Sequence, residues 1–217
     1  MPLAAYRRKR KFTETPEPAG RVRRAGRDRI FVVQKHDASR LHYNFRLEIN
    51  GVLVSWAVPK GPSMNPAEKR LALLTEDHPL AYAHFEGVIP KGQYGAGTVM
   101  GWDKGTYEPE DGVPPDEQLA RGKINMTLHG QKLHGGFTLV QTGKRSAVPS
   151  QRKRWLLIKQ RDAHVDTSWD LERPEFACSV LTGRTMQEIE AAPHSLFPLS
   201  HAPGSEAVPD LSAHQGN

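Results

Sequence analysis

Cysteine occurs once, at Cys178, so no intrachain disulfide can form and a reducing compartment fits the chain. No apolar run reaches the length of a membrane-spanning helix. The early basic residues are followed by no hydrophobic stretch, so the start does not read as a secretory signal. These absences point to a cytoplasmic protein with no membrane partner. Lysine and arginine are missing from residues 193–217, which are rich in Pro, Ser, His and Ala and read as a disordered C-terminal tail.

What is present is unevenly placed. The 217 residues carry a formal net charge of +6, with a pI near 9.5. Residues 1–29 hold ten Lys/Arg against three Asp/Glu, and the remainder holds 20 against 21. The basicity therefore belongs to an N-terminal arm, and the body is close to neutral. Such an arm suits a polyanion, most simply nucleic acid, or serves as a solubilising tail; charge alone does not separate the two. The length is enough for one packed domain with flexible ends. Residues 1–28 read as an extended, partly disordered arm without periodicity, 29–192 as the folded domain and 193–217 as the tail.

Strands dominate the folded part. The pattern predicts strands at Ile30–Lys35, Leu41–Ile49, Val52–Val58, Leu71–Thr75, Thr98–Trp102, Ile124–Leu128, Phe137–Gln141 and Trp155–Lys159. Asn50-Gly51 marks a type I′ hairpin between the second and third. Short helices are expected at Pro66–Lys69, Pro115–Ala120 and after Thr185, where Thr185-Met-Gln-Glu188 forms a capping box. Arg161–Pro174 reads as a charged excursion. About eight strands with few helices indicate a mainly β protein, a small closed or nearly closed β-barrel. Gly92 to Gly97 has the glycine spacing of a phosphate-binding P-loop, but Thr98 stands where lysine is required and a strand follows, so the loop reads as a hairpin connection.

The segment Gln34-Lys-His-Asp-Ala-Ser-Arg-Leu-His-Tyr-Asn-Phe-Arg-Leu-Glu48 carries most of the chemistry. From Leu41 to Ile49 apolar and polar residues alternate, placing His42, Asn44, Arg46 and Glu48 on one strand face. His36 lies just before this strand and can fold back to the same point. Two imidazoles and an amide oxygen suit a borderline divalent ion such as manganese or zinc, although such a cluster alone is more often a hydrogen-bonding set. Arg46, with Arg40, Lys60 and Arg70 on neighbouring segments, supplies the cations that a phosphate beside a metal requires; singly, each reads as a solvated charge. His78, before a proline, is held at a constrained turn that suits a general acid or a phosphate-binding imidazole, and Tyr82 follows as an aromatic with a polar tip.

These segments resemble the 3′-phosphoesterase domain of bacterial DNA ligase D and its stand-alone relatives. The matching stretches are Phe31–Glu48, Ser55–Ser63, Glu76–Leu80, Phe85–Pro90, Gly95–Val99, Trp155–Lys159 and Ser179–Met186, and the resemblance runs from about Tyr6 to Ile189. It implies a compact β-barrel with one manganese ion, with zinc or cobalt as alternatives, in a polar groove. It implies resection of DNA 3′ ends, removing a terminal ribonucleoside and then the 3′-phosphate to leave a 3′-hydroxyl for end joining. The expected partners are primer-template or recessed 3′ ends, a separate ATP-dependent DNA ligase and the Ku end-binding protein, at the nucleoid.

By motif position the resemblance puts His36, His42 and Asn44 on the metal and Arg46, Lys60 and Arg70 on the phosphate. His78 falls on the imidazole at the reacting group, Tyr82 on its supporting tyrosine, and Gln34 and Glu76 on polar residues needed for full activity. Arg10 and Glu17 match functional positions in the arm. Two residues depart from the family pattern: Asn44 replaces an aspartate ligand, and Lys11 replaces an acidic neighbour of the arm arginine. No Lys-x-Asp-Gly adenylation motif is present, so the chain is not expected to be a ligase itself. The rival to an enzyme is a DNA-end-binding module weakened or inactivated by Asn44; an RNA-binding barrel is disfavoured because no aromatic ladder interleaves with basic residues.

Overall fold

The computed structural model describes residues 2–22, 29–142 and 154–192. Eight antiparallel strands close a barrel: β1 (Ile30–Asp37), β2 (Leu41–Ile49), β3 (Val52–Val58), β4 (Arg70–Leu74), β7 (Gly97–Pro109), β8 (Lys123–His129), β9 (His134–Gln141) and β10 (Arg154–Lys159). The order runs β1-β2-β3-β4-β10-β9-β8-β7, and pairing of β7 with β1 shuts the ring. Closure leaves the barrel strands no free edge along the ring. Two short strands lie outside it, β5 (His78–Pro79) on β3 and β6 (Gly87–Ile89) on β7. The mainly β reading of the sequence is therefore met.

The β2–β3 hairpin turns at Asn50 and Gly51, with φ of 52° and 81°, the left-handed pair that a type I′ turn requires. This turn fixes the register that sets Arg46 opposite Ser55 and Asn44 opposite Ala57. On the other side, β1 places Gln34 opposite Asn44 and His36 directly opposite His42. His36 is thus a strand residue rather than one folding back from a connection. β1 extends to Asp37 because β7 runs alongside it. Gly97 permits that approach, since a Cβ there would lie 2.1 Å from the Asp37 carbonyl oxygen.

The two faces of β2 enter different environments. Tyr43, Phe45, Leu47 and Ile49 join Trp56, Trp102, Trp155 and Phe137 in the large core inside the barrel. His42, Asn44 and Arg46 alternate to the opposite face, which a smaller cluster containing Tyr6, Val32, Leu53, Tyr82 and Phe85 covers. That cover comes from the 3₁₀ turn η1 (Leu80–His84) and the N-terminal arm.

Several elements differ from the sequence reading. The described part of the arm is docked: helix α1 (Ala4–Arg8) buries Tyr6 and packs beside buried Leu3, and the Tyr6 hydroxyl donates to Pro18 O at 2.6 Å. The apolar pair three residues apart, just before the basic run Arg7–Lys11, drives this docking. β7 continues past Trp102 to Pro109. Its polar residues serve the neighbouring turn: buried Asp103 accepts backbone N–H groups of Gln131, Lys132 and Leu133. Pro66–Lys69 is a single turn, not a helix, with Ala67 N donating to Asn65 Oδ1 and Glu68 N to Asn65 O. α2 (Pro115–Arg121) and α3 (Met186–Ala191) match expectation, the latter with the Thr185–Glu188 capping box. The expected tail and residues 23–28 of the arm lie outside the described residues.

Glu86 ties the C-terminal segment to the barrel. This fully buried carboxylate accepts from Gly101 N at 3.0 Å, from the Ser179 and Thr182 hydroxyls, and from Arg184 Nη2 at 3.2 Å. Removing a buried acceptor of this kind strands several donors, at about 1–3 kcal/mol each. Glu86→Ala is expected to lose about 3 kcal/mol in denaturant unfolding and to expose the Ser179–Thr185 backbone to hydrogen exchange.

Candidate active site

A cavity of about 350 Å³ opens over the polar face of β2. Its lining includes Arg10, His36, His42, Asn44, Arg46, Glu76, His78 and Tyr82. A larger hollow of about 440 Å³ lies between Asn65–Ala67 and Arg161–Thr167, and no imidazole lines it.

Arg46 dominates the cavity floor. Its residue is 3 % exposed, and no carboxylate lies within 4 Å of its guanidinium among the described residues. Nε donates to Gln34 Oε1 at 2.9 Å and Nη1 to Ser55 Oγ at 2.8 Å. Gln34 is itself fixed, because its Nε2 donates to Tyr82 O and Phe85 O. The Tyr82 ring lies 4.9 Å from the guanidinium carbon. Burial lowers the Arg46 pKa to about 10. The group remains a cation at neutral pH, surrounded by neutral acceptors.

The second arginine is bound differently. Arg10 Nε donates to Glu17 Oε1 at 2.7 Å, and Nη1 reaches Glu76 Oε1 at 3.3 Å. Glu17 also accepts from the Tyr82 hydroxyl at 2.9 Å. The docked arm thus delivers a paired cation to the cavity wall and locks Tyr82. Lys9 Nζ completes this wall by contacting Glu76 Oε2 at 3.1 Å.

His78 sits between the two guanidiniums. Arg46 Nη1 is 2.9 Å from its Nδ1, and Arg10 Nη2 is 3.3 Å from its Nε2. The Glu76 carbonyl lies 2.9 Å from Nδ1, which favours a proton on Nδ1 and a lone pair on Nε2 facing Arg10. Burial, then the charges of Arg46 and Arg10, hold the imidazole well below its ordinary pKa, so the ring is neutral.

His36, His42 and Asn44 meet at the other end. The two imidazoles lie 4.8 Å apart between centroids, and Asn44 Nδ2 is 3.4 Å from His42 Nε2. His42 Nδ1 donates to Arg40 O at 2.9 Å and His36 Nε2 to Gly95 O at 3.0 Å. Each backbone bond fixes a tautomer and leaves a lone pair on the other nitrogen, the usual support for a metal-binding histidine, although that of His42 faces Asn44 Nδ2. The third donor is an amide, so no group of three or more His, Cys, Asp or Glu suited to a metal occurs among the described residues. Two neutral imidazoles and an amide oxygen fit a borderline divalent cation, but they bring it no negative charge. The Asn44 amide must also turn Oδ1, rather than Nδ2, towards such an ion.

Lys60 and Arg70 are not among the residues lining the cavity. Lys60 is exposed just past the Tyr43–Val58 pair. Arg70 begins β4 and pairs with Glu68. Sequence reasoning missed Tyr6, Lys9 and Ser55. Ser55 was within reach, because the Asn50-Gly51 turn dictates its place opposite Arg46.

A family model described as the DNA Ligase D 3′-phosphoesterase domain matches residues 34–141. The chain belongs to the DNA ligase D 3′-phosphoesterase family. It is 49% identical over 191 residues to the multifunctional non-homologous end joining protein LigD of Pseudomonas aeruginosa, covering 85% of this chain and 22% of that protein. The LigD proteins of Mycolicibacterium smegmatis and Mycobacterium tuberculosis are 45% and 48% identical, over 74% and 75% of this chain and 21% of each relative. The chain therefore spans about a fifth of the length of these relatives. The matched residues include Gln34, His36, His42, Asn44 and Arg46.

Burial lowers the His36 pKa to about 4, aided by the charges of His42 and Arg46. An unfolded histidine titrates near 6.5. The folded state thus resists protonation, and the stability from keeping His36 neutral is complete above pH 6.5 and is lost as pH falls towards 4. At pH 4.5 this group alone is expected to cost roughly 2–3 kcal/mol relative to pH 7. His36→Gln should flatten that part of the pH profile in urea unfolding; an unchanged slope would mean that the imidazole is not buried neutral.

Proposed function

We propose that this chain is a metal-assisted phosphoesterase that processes DNA 3′ ends in repair by non-homologous end joining. The observation that carries this reading is Arg46, a buried cation without a carboxylate partner facing a cavity. Such a charge is costly unless an anion completes it, and a phosphate is the anion a guanidinium fork fits best. Membership in the phosphoesterase family supports the same substrate class.

His36, His42 and Asn44 would hold the divalent ion, expected to be manganese. Bound there, it would supply Lewis acidity towards the phosphate and a more acidic water. Arg46 and Arg10 would grip non-bridging oxygens and stabilise the charge that grows as water attacks phosphorus and the bond to the 3′ oxygen breaks. Gln34 and Ser55 keep Arg46 aimed, so this arrangement need not be organised during reaction. The incoming phosphate offsets the two guanidiniums that keep His78 neutral. Its Nε2 would then take up a proton from solvent and give it to the departing 3′ oxygen, while the attacking water releases its proton to solvent. Glu17, Glu76 and Tyr82 hold Arg10 and His78 in place. Lys60 and Arg70 would meet the DNA backbone outside the cavity. The product would be a 3′-hydroxyl for a separate ATP-dependent ligase, with Ku as the end-binding partner.

A catalytically weakened DNA-end-binding module is the second reading. It rests on the Asn44 side chain, whose Nδ2 approaches His42 Nε2 and so occupies the lone pair an ion would use. Hydrolysis of a 3′-phosphorylated primer-template across manganese concentrations separates the two. The wild type is expected to depend on manganese, and Asn44→Asp should reach half-maximal rate at about tenfold less metal, since a carboxylate adds charge worth roughly 1.4 kcal/mol or more. His78→Ala should lower kcat by ~100-fold or more. No hydrolysis by either the wild type or Asn44→Asp would establish the binding module.

A further inference from the structure

We propose that Tyr94 is a stacking platform for the terminal nucleobase of the bound DNA end. The proposal takes its ligand from the phosphoesterase reading above, and adds the residue that would hold the base outside the phosphate cavity.

Large apolar side chains of this protein are almost all covered. Val22, Leu41 and Tyr94 are the exposed ones among the described residues, and Tyr94, at 49 %, is the only aromatic. It also lines the cavity that contains Arg10, Asn44 and His78. At the mouth of a polar cavity the ring meets the Lys9 ammonium and the Arg10 guanidinium, 4.4 and 5.5 Å from its centroid, and the surface it leaves in water is open to a flat ligand.

The ring is exposed but held. Its hydroxyl accepts from Lys9 Nζ at 3.0 Å, and the same ammonium lies 4.4 Å from the ring centroid. Lys9 is anchored in turn on Glu76. The backbone beneath is fixed from the other side, because Gly95 O accepts from His36 Nε2 at 3.0 Å. Gly92 and Gly95 take φ of 91° and 78°, allowing the connection to turn tightly around Tyr94. One residue thus sits between the wall carrying Arg10 and the end carrying His36.

With the phosphate held at Arg46 on the cavity floor, the base of the same terminal nucleotide would extend towards the rim where Tyr94 stands. Stacking on tyrosine accepts any base, as an end-processing protein needs, and Lys9 beside the ring adds a cation for the adjoining phosphate. Specificity here would be for the presence of a base, not its identity.

The test uses primer-templates ending in a 3′-phosphate, with 2-aminopurine, a normal base or an abasic residue at the terminus. Without divalent cation, wild-type protein should quench the 2-aminopurine on binding; Tyr94→Ala should bind without quenching, and Tyr94→Trp should restore it. With manganese, Tyr94→Ala should raise KM about tenfold on the base-bearing end, equivalent to about 1.4 kcal/mol, and leave KM unchanged on the abasic end. Equal quenching by wild type and Tyr94→Ala, or equal KM changes on both ends, would overturn the platform while hydrolysis by the wild type preserved the phosphoesterase reading. Tyr94-dependent quenching with no hydrolysis would sustain the platform and remove the catalytic reading.

Discussion

A buried guanidinium without a counter-charge is the constraint around which the structure is arranged. Removing a charge from water costs several kcal/mol even after relaxation. Arg46 meets that cost with the Gln34 amide oxygen, the Ser55 hydroxyl and the Tyr82 ring, all neutral. Each of these groups is secured by something else. Gln34 is bound to the backbone at Tyr82 and Phe85, and Ser55 is delivered by the hairpin register. The neutral state of His78 follows from the same cause, because burial and two arginines leave no room for a third positive charge.

The arrangement explains why the arm belongs to the site. The polar face of β2 points away from the core that fills the barrel, and without a cover it would stand in water. The arm and η1 supply that cover with Tyr6, Tyr82 and Phe85, and bring Arg10 already neutralised by Glu17. Two arginines therefore share one cavity with different electrostatic tasks. Arg10 is balanced within the protein, and Arg46, which has no carboxylate partner among the described residues, is the one the proposed function assigns to the ligand. A lower effective dielectric around both strengthens every interaction with an entering phosphate.

Much of this was legible in the sequence where one physical rule dominated. Alternation from Leu41 to Ile49 placed His42, Asn44 and Arg46 on one face, and Asn50-Gly51 fixed the hairpin. The capping box at Thr185 was equally plain. Other parts were hidden by competing signals. Leu3 and Tyr6 immediately precede the basic run Arg7–Lys11, and the charge of that run concealed a helix that docks. The apolar pattern that marks β7 stops at Trp102, yet Asp103 is buried against three backbone amides of a distant turn and the strand runs on. Local periodicity carries no information on pairing, so it leaves His36 in the connection before β2, whereas the structure sets it on β1 directly across from His42. Tyr94 drew no notice for the same reason: only the folded cavity shows that its ring stands in the mouth.

In the proposed function Arg46 is left uncompensated so that a phosphate can complete it. The most direct measurement compares binding of DNA ends bearing a 3′-phosphate and a 3′-hydroxyl by wild-type protein and by Arg46→Met, which fills similar space without charge. The wild type is expected to favour the phosphate by tenfold or more, about 1.4 kcal/mol, and Arg46→Met to remain folded and bind both ends alike. Retention of the full preference by a folded Arg46→Met would contradict the account.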